Sequence, residues 1–144
     1  MSEHHRSLER MYHQAPCNQA HAPRLAVGDE MATVVMDVAP DMHHAAGAVH
    51  GAFYFKLLDD AAYFAANSLV EDVFVLTASM HVEFLRPVVR GRLRAEGRVI
   101  KAGRTLSFAE SKLFDEEGSL LARGSGTFAR SRFPLADLSA PAIK

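Results

Sequence analysis

The sequence is short of cysteine, of net charge and of any long apolar run, and each shortage excludes something. Cys17 is the only cysteine, so no disulfide can form within the chain, which suits a reducing, cytoplasmic setting. The formal net charge is −1, so no global field recruits nucleic acid or an anionic membrane surface. No stretch reaches the ~18 apolar residues of a membrane span. The longest apolar region, residues 48–70, is broken by His50, Lys56, Asp59, Asp60, Tyr63 and Asn67. The N-terminal MSEHHRSLER is polar and of mixed charge, so no secretory signal is expected there. The eight histidines show no HExxH or CxxC-type spacing, so no metal is expected. No Gly-x-Ser-x-Gly setting surrounds Ser79 or His81, which argues against a serine hydrolase. The arginines from Arg86 to Arg98 have no aromatic platform beside them and read as a solvated sheet face, not a nucleic-acid surface.

What is present fits one domain. A chain of 144 residues, 49% of them hydrophobic, can bury a core without disulfide or metal staples. Residues 1–27 read as a polar, loosely ordered lead-in, with a helical turn around Ser7–His13. Residues 31–38 alternate Val34, Met36 and Val38 on one face, which predicts a strand ended by Pro40 and Asp41. Residues 52–69 lack Gly and Pro and are rich in Ala, Leu and Phe, which predicts a helix of about 18 residues, roughly 27 Å long. Four strands follow, over 73–85, 92–101, 105–115 and 120–129, joined by short turns at Gly91, Gly103 and Gly118. Leu93, Ala95, Gly97 and Val99 alternate with Arg92, Arg94, Glu96 and Arg98, so one face is dry and the other wet. The expected fold is α+β, a five-to-six-stranded antiparallel sheet wrapped around one long central helix over residues 28–132. Residues 133–144 read as a tail. A helix apolar over most of its circumference needs cover on most sides, and one sheet leaves a helix side and sheet edges bare, so a homodimer is expected.

The helix carries the candidate chemistry. Lys56, Asp60, Tyr63 and Asn67 form a polar stripe, and Asp59 lies on its margin beside Ala52, Phe55, Ala62 and Tyr63. Asp60 has Lys56 one turn back and reads as solvated. Asp59 sits among small and aromatic groups, where partial desolvation raises a carboxylate's pKa and makes it a better base. Two aspartates on a plain solvated face is the blander reading of the same pattern. His50-Gly51 stands where loop becomes helix, and the free amides of a first turn can hold a carbonyl oxygen gaining charge; a tight helix start plugged by His50 is the structural alternative. Gly51 and Asp59 are eight residues apart, about 12 Å along one helix, too far to act on one carbon. If both are used, Asp59 comes from a second chain whose helix runs antiparallel, as a two-fold dimer provides.

The stretch from Val49 to Asn67, VHGAFYFKLLDDAAYFAAN, resembles the signature of hotdog-fold acyl-CoA thioesterases of the phenylacetate-pathway and 4-hydroxybenzoyl-CoA type. That family has His-Gly-Gly at the start of the helix and an acid nine residues after the His, the spacing of His50 and Asp59. Thr77–Pro87, Lys101–Phe108 and Gly118–Phe128 resemble its later strands. The resemblance runs over about residues 28–130 and rests on the whole set in order. It implies thioester hydrolysis with no cofactor, in a homodimer that either stands alone or pairs further into a homotetramer. The Gly51 amide would polarise the carbonyl, and Asp59 of the other chain would act as base or nucleophile. His44 stands where the family usually has an Asn or Gln that binds the carbonyl or positions water, Thr77 where a Ser or Thr orients water, and Lys101 and Arg104 where basic groups meet the CoA phosphates. Ala52 replaces the second Gly; its N–H survives as a donor, while its Cβ narrows the approach. His44 either keeps the amide's role with added pH sensitivity or marks altered catalysis. A catalytically weak acyl-CoA-binding module and a hotdog hydratase or dehydratase are the alternatives; no acid falls fourteen residues after His43, His44 or His50. Phe53, Phe55, Phe64 and Phe84 could line an aryl or medium-chain pocket, or simply pack.

Overall fold

The structure, a computed structural model, describes residues 2–138. In chain order its main elements are α1 (Glu3–Gln14), β1 (Arg24–Gly28), β2 (Met31–Asp37), α2 (Gly51–Asn67), β3 (Val73–Phe84), β4 (Arg92–Ala102), β5 (Leu106–Phe114), β6 (Leu120–Pro134) and the single turn α3 (Leu135–Leu138). One six-stranded sheet runs β1-β2-β4-β5-β6-β3, and every neighbouring pair is antiparallel. It curls around α2, the arrangement the sequence pattern predicts.

The dry face holds the helix. Val34, Met36, Leu93, Ala95, Ala109 and Leu113 point inward and are buried. On α2 they meet Leu57, Leu58, Ala61, Ala62, Ala65 and Ala66, each 0% exposed. Fully burying one Leu stabilises by about 1.5–3 kcal/mol, so this seam is a main source of stability. The alanines let the helix backbone come very close to β4 at Gly97, where a Cβ would lie 2.2 Å from the Ala61 carbonyl oxygen. The wet face carries exposed ion pairs, Arg92–Asp37 at 2.9 Å and Arg98–Glu110 at 2.8 Å, which contribute little to stability. Among the described residues no helix is long and apolar enough to cross a membrane.

Two expectations change. The lead-in is not loosely ordered: Ser2 Oγ caps α1 by accepting from the His5 amide at 3.1 Å, and His5, Leu8 and Tyr12 are buried. Those three lie on one helical face, which drives α1 down against the rest of the fold. The lead-in also contains β1, whose Leu25 and Val27 are buried opposite Val34 and Ala32. At the other end, β6 continues to Pro134 and Leu135–Leu138 makes a helical turn; the rest of the expected tail, residues 139–144, lies outside the described residues.

Burial of α2 is uneven. Its C-terminal half is enclosed all round, from Ala61 to Asn67. Its N-terminal half leaves Ala52 and Phe55 exposed and Asp59 half-buried. Beside that open face runs β3, an edge strand of twelve residues with no Lys or Pro. The strand is interrupted by register irregularities between Val73 and Val75 and between Thr77 and Ser79, and its regular stretches leave an edge that can pair with another chain.

Candidate active site

The first group of candidates gathers at the start of α2. His50 is the N-cap, and its Nδ1 accepts from the Ala52 amide at 2.8 Å. The His50 carbonyl accepts from the Phe53 amide at 3.0 Å. Ala52 N–H is thus already used, which corrects the expectation that it is a free donor. Gly51 N–H, by contrast, has no protein acceptor among the described residues. Phe84 lies against Gly51, and a Cβ there would meet the ring at 3.0 Å. His44 stands beside His50, ring centroids 6.5 Å apart, with its Nδ1 accepting from the Ala46 amide at 3.0 Å. So His44, His50 and Gly51 share one place.

The second group lies two turns along the helix. Asp59 Oδ1 accepts from Thr77 Oγ1 of β3 at 2.9 Å, so the hydroxyl that the family resemblance gives to orienting water is bonded to the carboxylate itself. Burial pushes the Asp59 carboxyl above the usual carboxylate range; the Thr77 hydroxyl opposes that shift and the neighbouring Asp60 charge adds to it. Asp59 is a carboxylate made more basic by its surroundings.

Asp60 differs from its expected solvated state. Its Oδ2 accepts from Tyr12 Oη of α1 at 2.7 Å and from Lys56 Nζ at 2.9 Å, and its side chain is only 16% exposed. Tyr12 packs edge-on against Phe64 with centroids 5.2 Å apart. Asp60 therefore ties α1 to α2. Tyr12 escaped the sequence reading, although the i, i+3, i+7 spacing of His5, Leu8 and Tyr12 was a signal for it.

Asp59, Asp60 and Thr77 line a cavity of about 720 Å³. Of the four candidate phenylalanines only Phe64 reaches it; Phe74 and Phe133 join instead. Lys101 and Arg104 stand apart, exposed at the β4–β5 hairpin. Lys101 pairs with Phe108 across the ladder and lines a second surface cavity of about 640 Å³ with His81 and Thr127. Among the described residues no group of three or more His, Cys, Asp or Glu is placed to hold a metal ion.

The family model of the thioesterase superfamily matches residues 46–122, more than half of the chain and the whole span from the His50 loop through the Asp59 helix to β6. The chain belongs to the thioesterase superfamily. A protein of Saccharolobus solfataricus, provisionally named an esterase, is 30% identical over 82 residues, covering 57% of this chain and 55% of that relative; the chain thus spans about half the length of the curated relatives it matches. Among solved structures, the Escherichia coli PaaI protein from the phenylacetic acid degradation operon superposes with a TM-score of 0.82 at 22% identity, over 90% of this chain and 94% of that one. A conserved protein of Pseudomonas aeruginosa gives 0.78 at 26% identity, over 85% and 98%. The first likeness is one of fold alone: both chains share the hotdog architecture.

Proposed function

We propose that this superfamily member hydrolyses an acyl-CoA-type thioester at a site made by two copies of the chain. The observation that carries the reading is the division of labour along α2. Its open face holds an unpartnered amide at Gly51 and a desolvated, Thr77-bound carboxylate at Asp59, about 12 Å apart. A second α2 running antiparallel brings one chain's Gly51 opposite the other's Asp59, twice. The two-fold axis then falls near the midpoint of residues 51 and 59, at Phe55, an exposed aromatic. An isologous interface repeats its contacts in this way, and the bare edge of β3 supplies a second seam.

In such a site the thioester oxygen sits at the Gly51 N–H, where the helix dipole favours developing negative charge. Asp59 takes a proton from water, whose oxygen adds to the carbonyl carbon. The tetrahedral oxyanion collapses, the C–S bond breaks, and the departing thiolate receives the proton to give free CoA and the acid. Direct attack by Asp59 leads to the same products through an acyl anhydride that water opens. His44 and His50 frame the carbonyl end, and Thr77 holds Asp59. Lys101 and Arg104 are candidates for the CoA phosphates, to which cationic side chains are suited. Further pairing of dimers into tetramers and a cytoplasmic location belong to the same proposal.

The test is thiol release from acyl-CoA by wild type, Asp59→Asn and Asp60→Asn. Asp59→Asn should lose at least ~10²-fold in kcat, the scale of a general base. Asp60→Asn should keep most of kcat while losing stability, because it weakens the Tyr12 and Lys56 tie. Equal loss of kcat from both would defeat the assignment. Retained CoA binding without turnover would favour an acyl-CoA-binding module, and hydration of an enoyl thioester without thiol release would favour a hydratase.

A further inference from the structure

The cavity beside Asp59 is built by elements far apart in the chain. One wall is α1 and the turn after it, through Met11, Pro16 and Cys17. The others are α2 at Phe64, β3 at Phe74 and the end of β6 at Phe133. Its polar groups are largely spent on one another. Asp60 is held by Tyr12 and Lys56, and Tyr63 Oη donates to the Val75 carbonyl at 2.6 Å. Asp59 Oδ1 takes the Thr77 hydroxyl, which leaves Asp59 Oδ2 without a protein donor among the described residues. The chamber is therefore an apolar volume with one reactive carboxylate in its wall.

Resting on the hydrolase reading above, we propose that this chamber houses the acyl part of the thioester, that it selects bulky apolar acyl groups over acetyl-sized ones, and that Met11 of α1 sets its depth. A volume of about 720 Å³ is within the range that holds a drug-sized ligand, and a two-carbon acyl group would leave most of it to water. Each methylene moved from water into such a lining contributes about 0.8 kcal/mol, roughly fourfold in binding. Four added methylenes are then worth on the order of 10²-fold in kcat/KM. The acyl group and Asp59 sit in the same chain, while the carbonyl amide comes from the partner. Specificity is thus carried by α1, outside the segment that carries the chemistry.

Two measurements test this. In the first, kcat/KM is measured for acetyl, hexanoyl, decanoyl and phenylacetyl thioesters with wild type and Met11→Trp. Wild type should rise by about 10²-fold from acetyl to hexanoyl, and Met11→Trp should cut the decanoyl-to-acetyl ratio at least tenfold. The phenylacetyl arm tells whether a ring or a chain fits better. A wild-type profile flat in acyl size, or a Met11→Trp ratio equal to that of wild type, overturns the proposal. The second uses Cys17, the chain's only thiol, which is exposed and lines the chamber. Saturating decanoate should slow its alkylation at least fivefold, and acetate should not. Equal rates with decanoate and acetate overturn the proposal without reference to turnover. If no thioester is cleaved yet decanoate protects Cys17, the chamber stands and the hydrolase reading falls.

Discussion

Replacing Gly97 by Ala tests whether the helix is as tightly seated as the structure requires. A Cβ at residue 97 would lie 2.2 Å from the Ala61 carbonyl oxygen, 2.3 Å from its carbon and 2.7 Å from the Ala62 nitrogen. All three are backbone atoms of α2, so no side chain can swing aside. Reaching an ordinary contact requires α2 to retreat from β4 by about 1 Å, and interiors packed to crystal density do not yield freely. Overpacking of this kind costs about 1–3 kcal/mol or more, which for a chain of this size lowers Tm by roughly 3–9 °C. The same shift moves Asp59, two residues before Ala61, relative to Thr77, and a 1 Å misplacement at a reacting group can cost about 10²-fold in rate. Gly28→Ala is the control. Its Cβ would meet only the Met31 side chain, at 3.1 Å, and Met31 is 55% exposed and free to move. That variant should fall within about 0.5 kcal/mol of wild type or gain slightly by restricting the unfolded chain. Calorimetry and guanidinium unfolding at one fixed protein concentration provide the readout, because an oligomer's Tm depends on concentration. A Gly97→Ala protein melting within about 1 °C of wild type would refute the close approach of α2 to β4.

Thr77→Val removes the larger of the two influences that hold the Asp59 pKa down, leaving only the Lys56 charge to oppose burial and Asp60. The base works only when deprotonated, so the acidic limb of kcat/KM should move to higher pH, with the loss greatest at low pH; an unmoved limb would show that the hydrogen bond has no effect on the base. Because the folded state holds the Asp59 proton more tightly than the unfolded chain, the stability this group contributes is present at low pH and lost as pH rises through its raised folded pKa. Asp59→Asn should therefore be more stable than wild type at neutral pH, with the margin shrinking toward acid, as denaturant midpoints across pH will show. Tyr12→Phe deletes a donor to the Asp60 carboxylate and should cost about 1.5–3 kcal/mol. Faster amide exchange is expected in α1 before any change at the α2 seam; uniform exchange across both would contradict the role of this bond in tying them together.

The core was readable because its signals are local. Alternation in β2 and β4, the Gly and Pro punctuation, and the Ala-rich run of α2 each follow from residues within a few positions of one another. For Asp59 the helix-face neighbours Ala52 and Phe55 marked a small and aromatic setting, whereas Thr77 came from the family resemblance as a group orienting water, and its bond to the carboxylate is visible only in the fold. Asp60 was misread because its decisive partner, Tyr12, is 48 positions away, and only packing reveals it. Ala52 was misread because His50 bends its own ring back onto the next turn, a rotamer choice that a sequence does not show. The N-terminal region was misread because its polar composition outweighed a sparse apolar stripe. Sparse apolar spacing suffices for α1, since it needs only one face buried while its other face meets solvent. Hence the segment hardest to read is the one that walls the chamber beside Asp59. On the proposed reading, α2 must keep its spacing to bring one chain's amide and the other's carboxylate to one carbon, and that makes it legible. A wall that only encloses an acyl group need supply volume and apolarity, which many sequences can do and no short pattern marks.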